Sequence, residues 1–312
     1  MKKKFKVVVI ALLFLLCTGC TEPIKDGKEV VTNPETGQTL TSNILCKPEE
    51  QQLLETYEKY NDKLQVKLEN LPACRSFTPN KLEYQSLWET IFVKPLAWLI
   101  LNLGYLVKNM GISVMVIGLL IRVLMLPLQI KTVKQSENMK KVQPEIARIE
   151  KKYQNKTDND SLMMKSQETM MVYKKYGINP VSSCLGAFIQ LPLFFAFLEA
   201  INRVPAIFEG EFLGMNLGMT PTAGIAEQQY IYIALIVLII LSTFLSFKNS
   251  MKSQNQTPEM EQQMKFMFIF MIIMISFASL SLPTAIALYW IVTNGFAVIQ
   301  NVIIKKIMEK RI

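Results

Sequence analysis

Residues 114–131 read VMVIGLLIRVLMLPLQIK, an apolar run with an arginine, Arg122, at its middle. Counted from Gly111, the run is long enough to cross the hydrocarbon core of a bilayer, which takes about 20 helical residues. Arg122 comes eleven residues after Gly111, which is about 16 Å along a helix and therefore near the bilayer midplane. A cation at that depth costs about 3 kcal/mol or more unless water or a polar partner reaches it. The stretch therefore predicts a membrane-spanning helix whose arginine faces a hydrated or polar interior.

The composition of the whole chain is typical of a membrane protein. Half of its 312 residues are hydrophobic, and its formal net charge is +9. In membrane proteins basic residues hold loops on the cytoplasmic side, so this charge does not by itself indicate nucleic-acid binding. The sequence has no histidine and no G-x-x-x-x-G-K-[ST] motif, so it lacks the commonest general base, the commonest metal ligand and the usual phosphate-binding loop. We expect no enzymatic activity, no metal site and no cofactor.

The N-terminus has the layout of a bacterial lipoprotein signal peptide. Lysines at positions 2, 3, 4 and 6 precede an apolar core from Val7 to Leu16, and small residues lead to Cys20. We expect residues 1–19 to be removed and Cys20 to carry a lipid such as palmitate. An ordinary signal peptide or an uncleaved first helix is the alternative.

Residues 20–85 are mostly polar and predict an extracytoplasmic, lipid-anchored tether. The stretch TNPETGQTLTSN at 32–43 reads as its flexible part, and PEEQQLLETYEKYNDKLQVKLENL at 48–71 reads as a short amphipathic helical stretch. Cys46 and Cys74 lie in an oxidising compartment in this interpretation, and they form either a disulfide or two free thiols.

The next segment, residues 86–110, is apolar but interrupted by Glu89 and Lys94, and it carries Trp88 and Trp98. Tryptophan prefers the headgroup level, so this segment predicts an amphipathic helix lying in the membrane interface. Five stretches beyond it have close to the length needed to span a bilayer. They are residues 111–131, 181–203, 229–247, 264–281 and 283–304.

Loop charges predict the orientation of these spans. Residues 131–178 contain eleven Lys or Arg and six Asp or Glu, whereas residues 204–228 contain no basic residue and three acidic ones. Basic loops stay inside, so the first loop is expected in the cytoplasm and the second outside. Within the first, residues 134–178 predict a cytoplasmic helical hairpin, with Pro144 beginning one helix and Gly177 ending the other. Its methionines are typical of surfaces that bind varied apolar ligands, although a solvated loop without a partner is the alternative.

Polar residues recur at helical spacing in several spans. Tyr289, Trp290, Thr293 and Asn294 share a face of the last helix with Gln300, and Gln190 lies in the second span. If these faces converge on Arg122, the bundle contains a hydrophilic groove; ordinary hydrogen bonding between helices is the alternative. An ion pair between Arg122 and Glu199 is also open. A methionine stripe in the fourth span forms either a sliding surface for apolar segments or core packing; its members are Met264, Met267, Met271 and Met274.

The chain resembles the YidC/Oxa1/Alb3 family of membrane protein insertases, in the five-helix lipoprotein form of Gram-positive bacteria. The resemblance covers residues 86–308, with a departure at FLGMNLGM, where many relatives have an aromatic-rich loop. It rests on five segments in order: LLIRVLMLPL at 119–128, VQPEIARIEKKY at 142–153, ETMMVYKKYGINP at 168–180, CLGAFIQLPLFFAF at 184–197 and LPTAIALYWIVTNGFAVIQ at 282–300.

This resemblance implies an all-α membrane protein. Residues 111–308 are expected to form five transmembrane helices around a hydrophilic groove, with an interfacial helix, a cytoplasmic hairpin and a short cytoplasmic tail at 309–312. The implied function is insertion and folding of integral membrane proteins in the cell membrane, independently of the Sec translocon or with it. Nascent chains, the ribosome, the signal recognition particle pathway and membrane lipids are the implied partners. A small-solute or anion transporter or channel is the alternative, because intramembrane arginine also marks anion pathways.

Overall fold

The structure is a computed structural model that describes residues 21–156, 158–178, 192–253 and 258–309. These residues are mostly helical and form two compact units. The first unit comprises residues 21–120, 192–239 and 276–293, and the second comprises the described parts of 121–190, 240–275 and 294–309. The expected signal peptide, Cys20 and Gln190 lie outside the described residues.

The first unit begins with residues 21–85, called here the N-terminal layer. Strands β1 (Lys25–Asp26) and β2 (Glu29–Val30) pair antiparallel around Gly27, whose φ of 63° suits a residue without a side chain. A nine-residue helix, α1 (Gln51–Lys59), follows. Three 3₁₀ turns complete the layer, at Asn61–Lys63, Leu68–Asn70 and Cys74–Ser76.

These short elements bury a common apolar core. None of them is long enough to bury a face by itself, and their side chains meet in one cluster. Cys46 and Cys74 form a disulfide across 28 residues of chain, which settles the alternative that the sequence left open. The core residues of the layer are Ile24, Leu40, Ile44, Leu53, Tyr57, Leu64, Leu68 and Leu71.

The N-terminal layer is more ordered than the flexible tether expected from its polar composition. Thr36 accepts a backbone hydrogen bond from Thr220 at 2.8 Å, and Leu45 donates one to Arg203 at 2.7 Å. The Arg203 guanidinium also donates to the main-chain oxygen of Asn43 at 2.6 Å. Polar residues of this segment satisfy their hydrogen bonds within the fold, so their polarity does not make the chain flexible.

The remaining elements of both units are mostly helices, with one small hairpin. A π-helical turn at Glu89–Val93 leads directly into the first long helix. A second antiparallel hairpin consists of β3 (Glu211–Phe212) and β4 (Met215–Asn216). The helices are α2 (Lys94–Val107), α3 (Met110–Leu124), α4 (Leu126–Tyr153), α5 (Asn159–Lys175), α6 (Pro192–Asn202), α7 (Pro205–Phe208), α8 (Pro221–Ala226), α9 (Ile231–Ser253), α10 (Pro258–Ser281) and α11 (Thr284–Glu309).

Four charged side chains are buried together in the first unit. Glu89 forms ion pairs with Lys94 and with Arg203, each at 3.1 Å. Glu199 accepts a hydrogen bond from the indole N–H of Trp88 at 3.1 Å. Because a buried charge is tolerated only when it is paired, this network holds the start of α2 against the end of α6. It also gives Glu199 partners within its own unit.

Three helices among the described residues are long and apolar enough to cross a membrane, namely Glu89–Val107, Ile231–Asn249 and Thr284–Ile304. The adjoining helices α3 and α4 provide a fourth if they are counted as one span. Two more of the five expected spans are represented by the shorter apolar helices Pro192–Asn202 and Phe268–Ser281. Residues 86–110, which the sequence places at the interface, therefore also contain a helix long enough to span a membrane. Glu89 and Lys94 pair with each other, so these charges do not interrupt the helix as the sequence suggests.

The second unit contains the predicted helical hairpin. Val142 and Ile146 of α4 form a buried cluster with Ile178, which follows α5, and Val172 and Tyr173 of α5 pack against it. Asp158 caps α5 by accepting a hydrogen bond from the Ser161 amide at 2.8 Å.

The ends of the hairpin helices differ from the prediction at one point. Gly177, with φ of 62°, follows the end of α5, as the sequence indicates. Pro144 does not begin a helix, because α4 is continuous from Leu126 to Tyr153 around it. Val142 and Ile146 pack on α5 on both sides of this proline, and that burial offsets the missing hydrogen bond.

Candidate substrate-binding site

Arg122 lies in the last turn of α3 and is half-buried. Helix α3 ends at Leu124, and α4 begins at Leu126 with Pro127 in its first turn. Proline suits a helix start, because it lacks the N–H that would go unbonded there. A cation at a helix C-terminus gains about 0.3 to 1 kcal/mol from the helix dipole. That gain is smaller than the cost of about 3 kcal/mol for arginine in a bilayer, so most of the cost must be offset by water or polar groups.

Gln300 contacts the backbone at this position. Its side-chain amide donates to the main-chain oxygen of Arg122 at 3.4 Å, and the residue is 3% exposed. Asn294, on the same helix and in the same unit, is half-buried. The sequence placed Gln300 on the polar face of α11 but did not select it as a groove residue. Its distinguishing feature is burial beside Arg122, which helical spacing alone does not reveal.

Tyr289, Trp290 and Thr293 lie in the first unit and belong to an aromatic cluster with α6. The ring of Tyr289 stacks on Phe197 with centroids 4.0 Å apart, and Trp290 meets Phe194 edge to face at 5.1 Å. Thr293 donates its hydroxyl to the main-chain oxygen of Tyr289 at 2.7 Å.

A glycine lets α3 approach this cluster closely. A methyl group at Gly118 would come within 2.9 Å of the Tyr289 ring and 3.2 Å of Thr293. In this unit the predicted site residues thus combine aromatic packing with a local hydrogen bond. Tyr289 and Trp290 pack against α6, and α3 approaches Tyr289 and Thr293 closely.

The methionine stripe of α10 is described only in part. The side chains of Met264 and Met267 lie outside the described residues, Met271 is half-buried and Met274 is 53% exposed. Met274 shares its exposed face with larger apolar residues that the methionine pattern did not single out. They are Phe266, Ile269, Phe270, Ile273 and Phe277.

The hairpin presents a second exposed apolar surface. The inner face of α5 is held to α4 by polar contacts, including an ion pair of Lys152 with Glu168 at 2.6 Å and a hydrogen bond from Tyr176 to Glu145. The Tyr176 hydroxyl and the Lys175 ammonium hold the pKa of the Glu145 carboxyl below its usual range. The outer face carries the predicted methionines, all about half exposed or more: Met163, Met164, Met170 and Met171.

The described residues contain no group of three or more Cys, Asp or Glu side chains arranged to hold a metal ion. The site residues that the structure describes present a guanidinium, amide groups and apolar surfaces.

Comparisons with known proteins identify the family. The sequence profile of a family described as "60Kd inner membrane protein" matches residues 102–311. The chain is 38% identical over 235 residues to "Membrane protein insertase YidC" of Oceanobacillus iheyensis, covering 74% of this chain and 87% of that one. It is 35% identical over 238 residues to "Membrane protein insertase MisCA" of Bacillus subtilis, covering 75% of this chain and 86% of the relative.

Among solved structures, the chain is similar to one described as an active YidC insertase with its first transmembrane domain resolved. The TM-score is 0.48 at 24% identity, and the match covers 72% of this chain and 48% of that protein, so the chain spans about half of its length. The family profile and the curated relatives each extend over about two thirds or more of the sequence. The chain therefore belongs to the YidC/Oxa1/Alb3 family of membrane protein insertases.

Proposed function

We propose that this protein inserts integral membrane proteins into the cell membrane and helps them fold. The observation that carries the proposal is Arg122, a permanent cation near the end of an apolar helix, in a member of an insertase family. Its relatives are named membrane protein insertases. The family consists of insertases and chaperones rather than enzymes, and the multi-pass architecture agrees with a location in the membrane.

The proposed mechanism follows from the cost of moving polar groups through lipid. Transfer of a polar N-terminal tail is opposed mainly by desolvation, and a hydrated groove that reaches the midplane shortens the dry path. Arg122 attracts acidic and amide groups of the entering tail. The membrane potential then favours outward movement of negative charge by about 2.3 kcal/mol per charge per 100 mV.

The finer assignments of this proposal come from the sequence. A hydrophilic groove is proposed within five spans, and six residues of it are proposed to contact the client. They are Arg122, Gln190, Tyr289, Trp290, Thr293 and Asn294. The methionine stripe of the fourth span, including Met271 and Met274, is proposed as a surface along which apolar client segments slide.

The proposed topology places the N-terminus outside, with a lipid on Cys20, and the C-terminus in the cytoplasm. Residues 86–110 lie along the interface in this arrangement. The hairpin at 134–178 faces the cytoplasm, where its exposed methionines receive apolar segments of nascent chains. The ribosome, the signal recognition particle pathway and the Sec translocon are proposed partners on that side.

Replacement of Arg122 tests the function. We expect Arg122→Ala to lower insertion of a single-span client with a short acidic tail by about tenfold in reconstituted vesicles, equivalent to about 1.4 kcal/mol. Arg122→Lys keeps the charge but loses the planar donor array, and we expect intermediate insertion. Arg75→Ala, which removes an exposed arginine of the N-terminal layer, is the matched control. Equal insertion by Arg122→Ala and the control contradicts the proposal.

A further inference from the structure

An apolar cleft of about 290 Å³ lies within the second unit, beside Gln300. One wall is the start of α4, with Leu126 and Ile130. The other wall is a stripe of α11 that runs from Phe296 through Gln300 to Ile307. These positions recur every three or four residues, so they share one face of the helix.

The length of the cleft matches one leaflet of a bilayer. Eleven residues separate Phe296 from Ile307, which is about 16 Å of helix. The hydrocarbon core of a bilayer is about 30 Å thick, so a cleft of this length spans about half of it. In the proposed topology this is the cytoplasmic half.

Gln300 is the one polar residue that lines this cleft, and it is 3% exposed. Its amide nitrogen donates to the Arg122 carbonyl, while its amide oxygen has no hydrogen-bond partner among the described residues. A buried acceptor without a donor costs free energy that a bound partner can recover. The cleft therefore suits an occupant that is apolar over most of its surface and has one hydrogen-bond donor.

Three kinds of occupant can be compared on that basis. A lipid acyl chain fits the apolar walls but has no donor. A buried water molecule has donors but needs two to four polar partners, and the walls are otherwise apolar. A helical polypeptide segment that carries Ser, Thr or Trp among apolar residues provides both the apolar surface and the donor.

We propose that this cleft binds the transmembrane segment of a client protein, and that Gln300 accepts a hydrogen bond from a side-chain donor on it. The inference rests on the proposed function and deepens it. Arg122 holds the polar tail of the client, and the adjoining cleft receives its apolar segment. Clients with a hydroxyl or indole donor in the cytoplasmic half of their first span are preferred.

Photo-crosslinking from α11 in the intact protein tests the occupant. Probes at Ile303 and Ile307, which line the cleft, are compared with probes at Ile299 and Val302. All four side chains are between 42% and 57% exposed, so the pairs are matched in exposure. We expect a stalled single-span client to crosslink several-fold more from the two cleft positions. Equal yields from both pairs, or crosslinks from the cleft to lipid alone, overturn the proposal.

Two clients separate this inference from the proposed function. One has an all-leucine segment, and the other has one threonine in its cytoplasmic half. We expect Gln300→Leu and Gln300→Met to lower insertion of the threonine client at least threefold more than insertion of the leucine client. If the Gln300 variants affect both clients equally, or neither client, and insertion of both still depends on Arg122, the role of Gln300 is contradicted and the proposed function stands. If insertion does not depend on Arg122, the proposed function itself is contradicted.

If the Gln300 variants do not fold, the crosslinking comparison in the otherwise unaltered chain still decides whether a client occupies the cleft.

Discussion

At the level of single residues, the cost of burying charge depends on the surroundings of each side chain. Glu89, Lys94 and Arg203 are buried but paired at 3.1 Å, so they need no water. Arg122 is half-buried at the end of its helix, and the helix dipole offsets only a small part of its cost in lipid. We infer that the first three charges stabilise the fold, whereas the role proposed for Arg122 rests on its place in an apolar helix of an insertase-family member.

A titration on the hairpin tests the residue-level electrostatics. The Tyr176 hydroxyl and Lys175 lower the pKa of Glu145 below its ordinary value of 4.5. The contribution of this carboxylate to stability is therefore present above pH 4.5 and is lost as the pH falls through the lowered pKa. We expect Tyr176→Phe to raise the Glu145 pKa, as measured by NMR of labelled glutamate in the intact protein.

Tyr84→Phe, which removes the hydroxyl of an exposed tyrosine outside the hairpin, is the control. An unchanged Glu145 pKa in Tyr176→Phe shows that the hydroxyl is not its main partner.

At the level of elements, the sequence predicted those that have regular periodicity. The hairpin, its end at Gly177 and the long apolar helices follow from spacing and from a capping residue. The prediction that Pro144 begins a helix was wrong, because packing of Val142 and Ile146 on α5 outweighs the helix-breaking tendency of this proline. In residues 21–85 the predicted helical stretch is present as α1, but the packed core was not predicted, because it combines residues from strands, one helix and 3₁₀ turns at irregular spacing. No single period of hydrophobic residues marks such a core.

The contact between α2 and α6 leads to a prediction at this scale. Glu89→Leu leaves Lys94 and Arg203 buried without their carboxylate, and we expect a loss of about 3 to 5 kcal/mol in unfolding free energy. Thermal unfolding in detergent, followed by tryptophan fluorescence, measures it. Asp26→Leu removes an exposed ion pair with Lys63 and is the control, with little expected effect. Destabilisation by Glu89→Leu no greater than by the control argues against the network as an anchor.

At the level of the whole molecule, the family and the multi-pass architecture were predictable from the order of five sequence segments. The number of spans was less certain, because Glu89–Val107 is long enough to cross a membrane although its charges and tryptophans indicate the interface. Gln300 could not be selected from spacing, because Asn301 and Thr293 look equally polar on a helical face. Its burial and its unpartnered oxygen appear only in three dimensions.

The account depends on water reaching Arg122, and the reactivity of a cysteine at that position measures this directly. In a variant free of other reactive thiols, Arg122→Cys is treated with a membrane-impermeant maleimide from the cytoplasmic side. Leu124→Cys, at a 72% exposed apolar position two residues away, is the control, because a thiol facing lipid forms no reactive thiolate. We predict rapid labelling at position 122, slowed by a bound client, and almost none at position 124. An unreactive thiol at position 122, in vesicles where a cytoplasmic hairpin cysteine reacts fully, contradicts a hydrated groove and the insertion mechanism built on it.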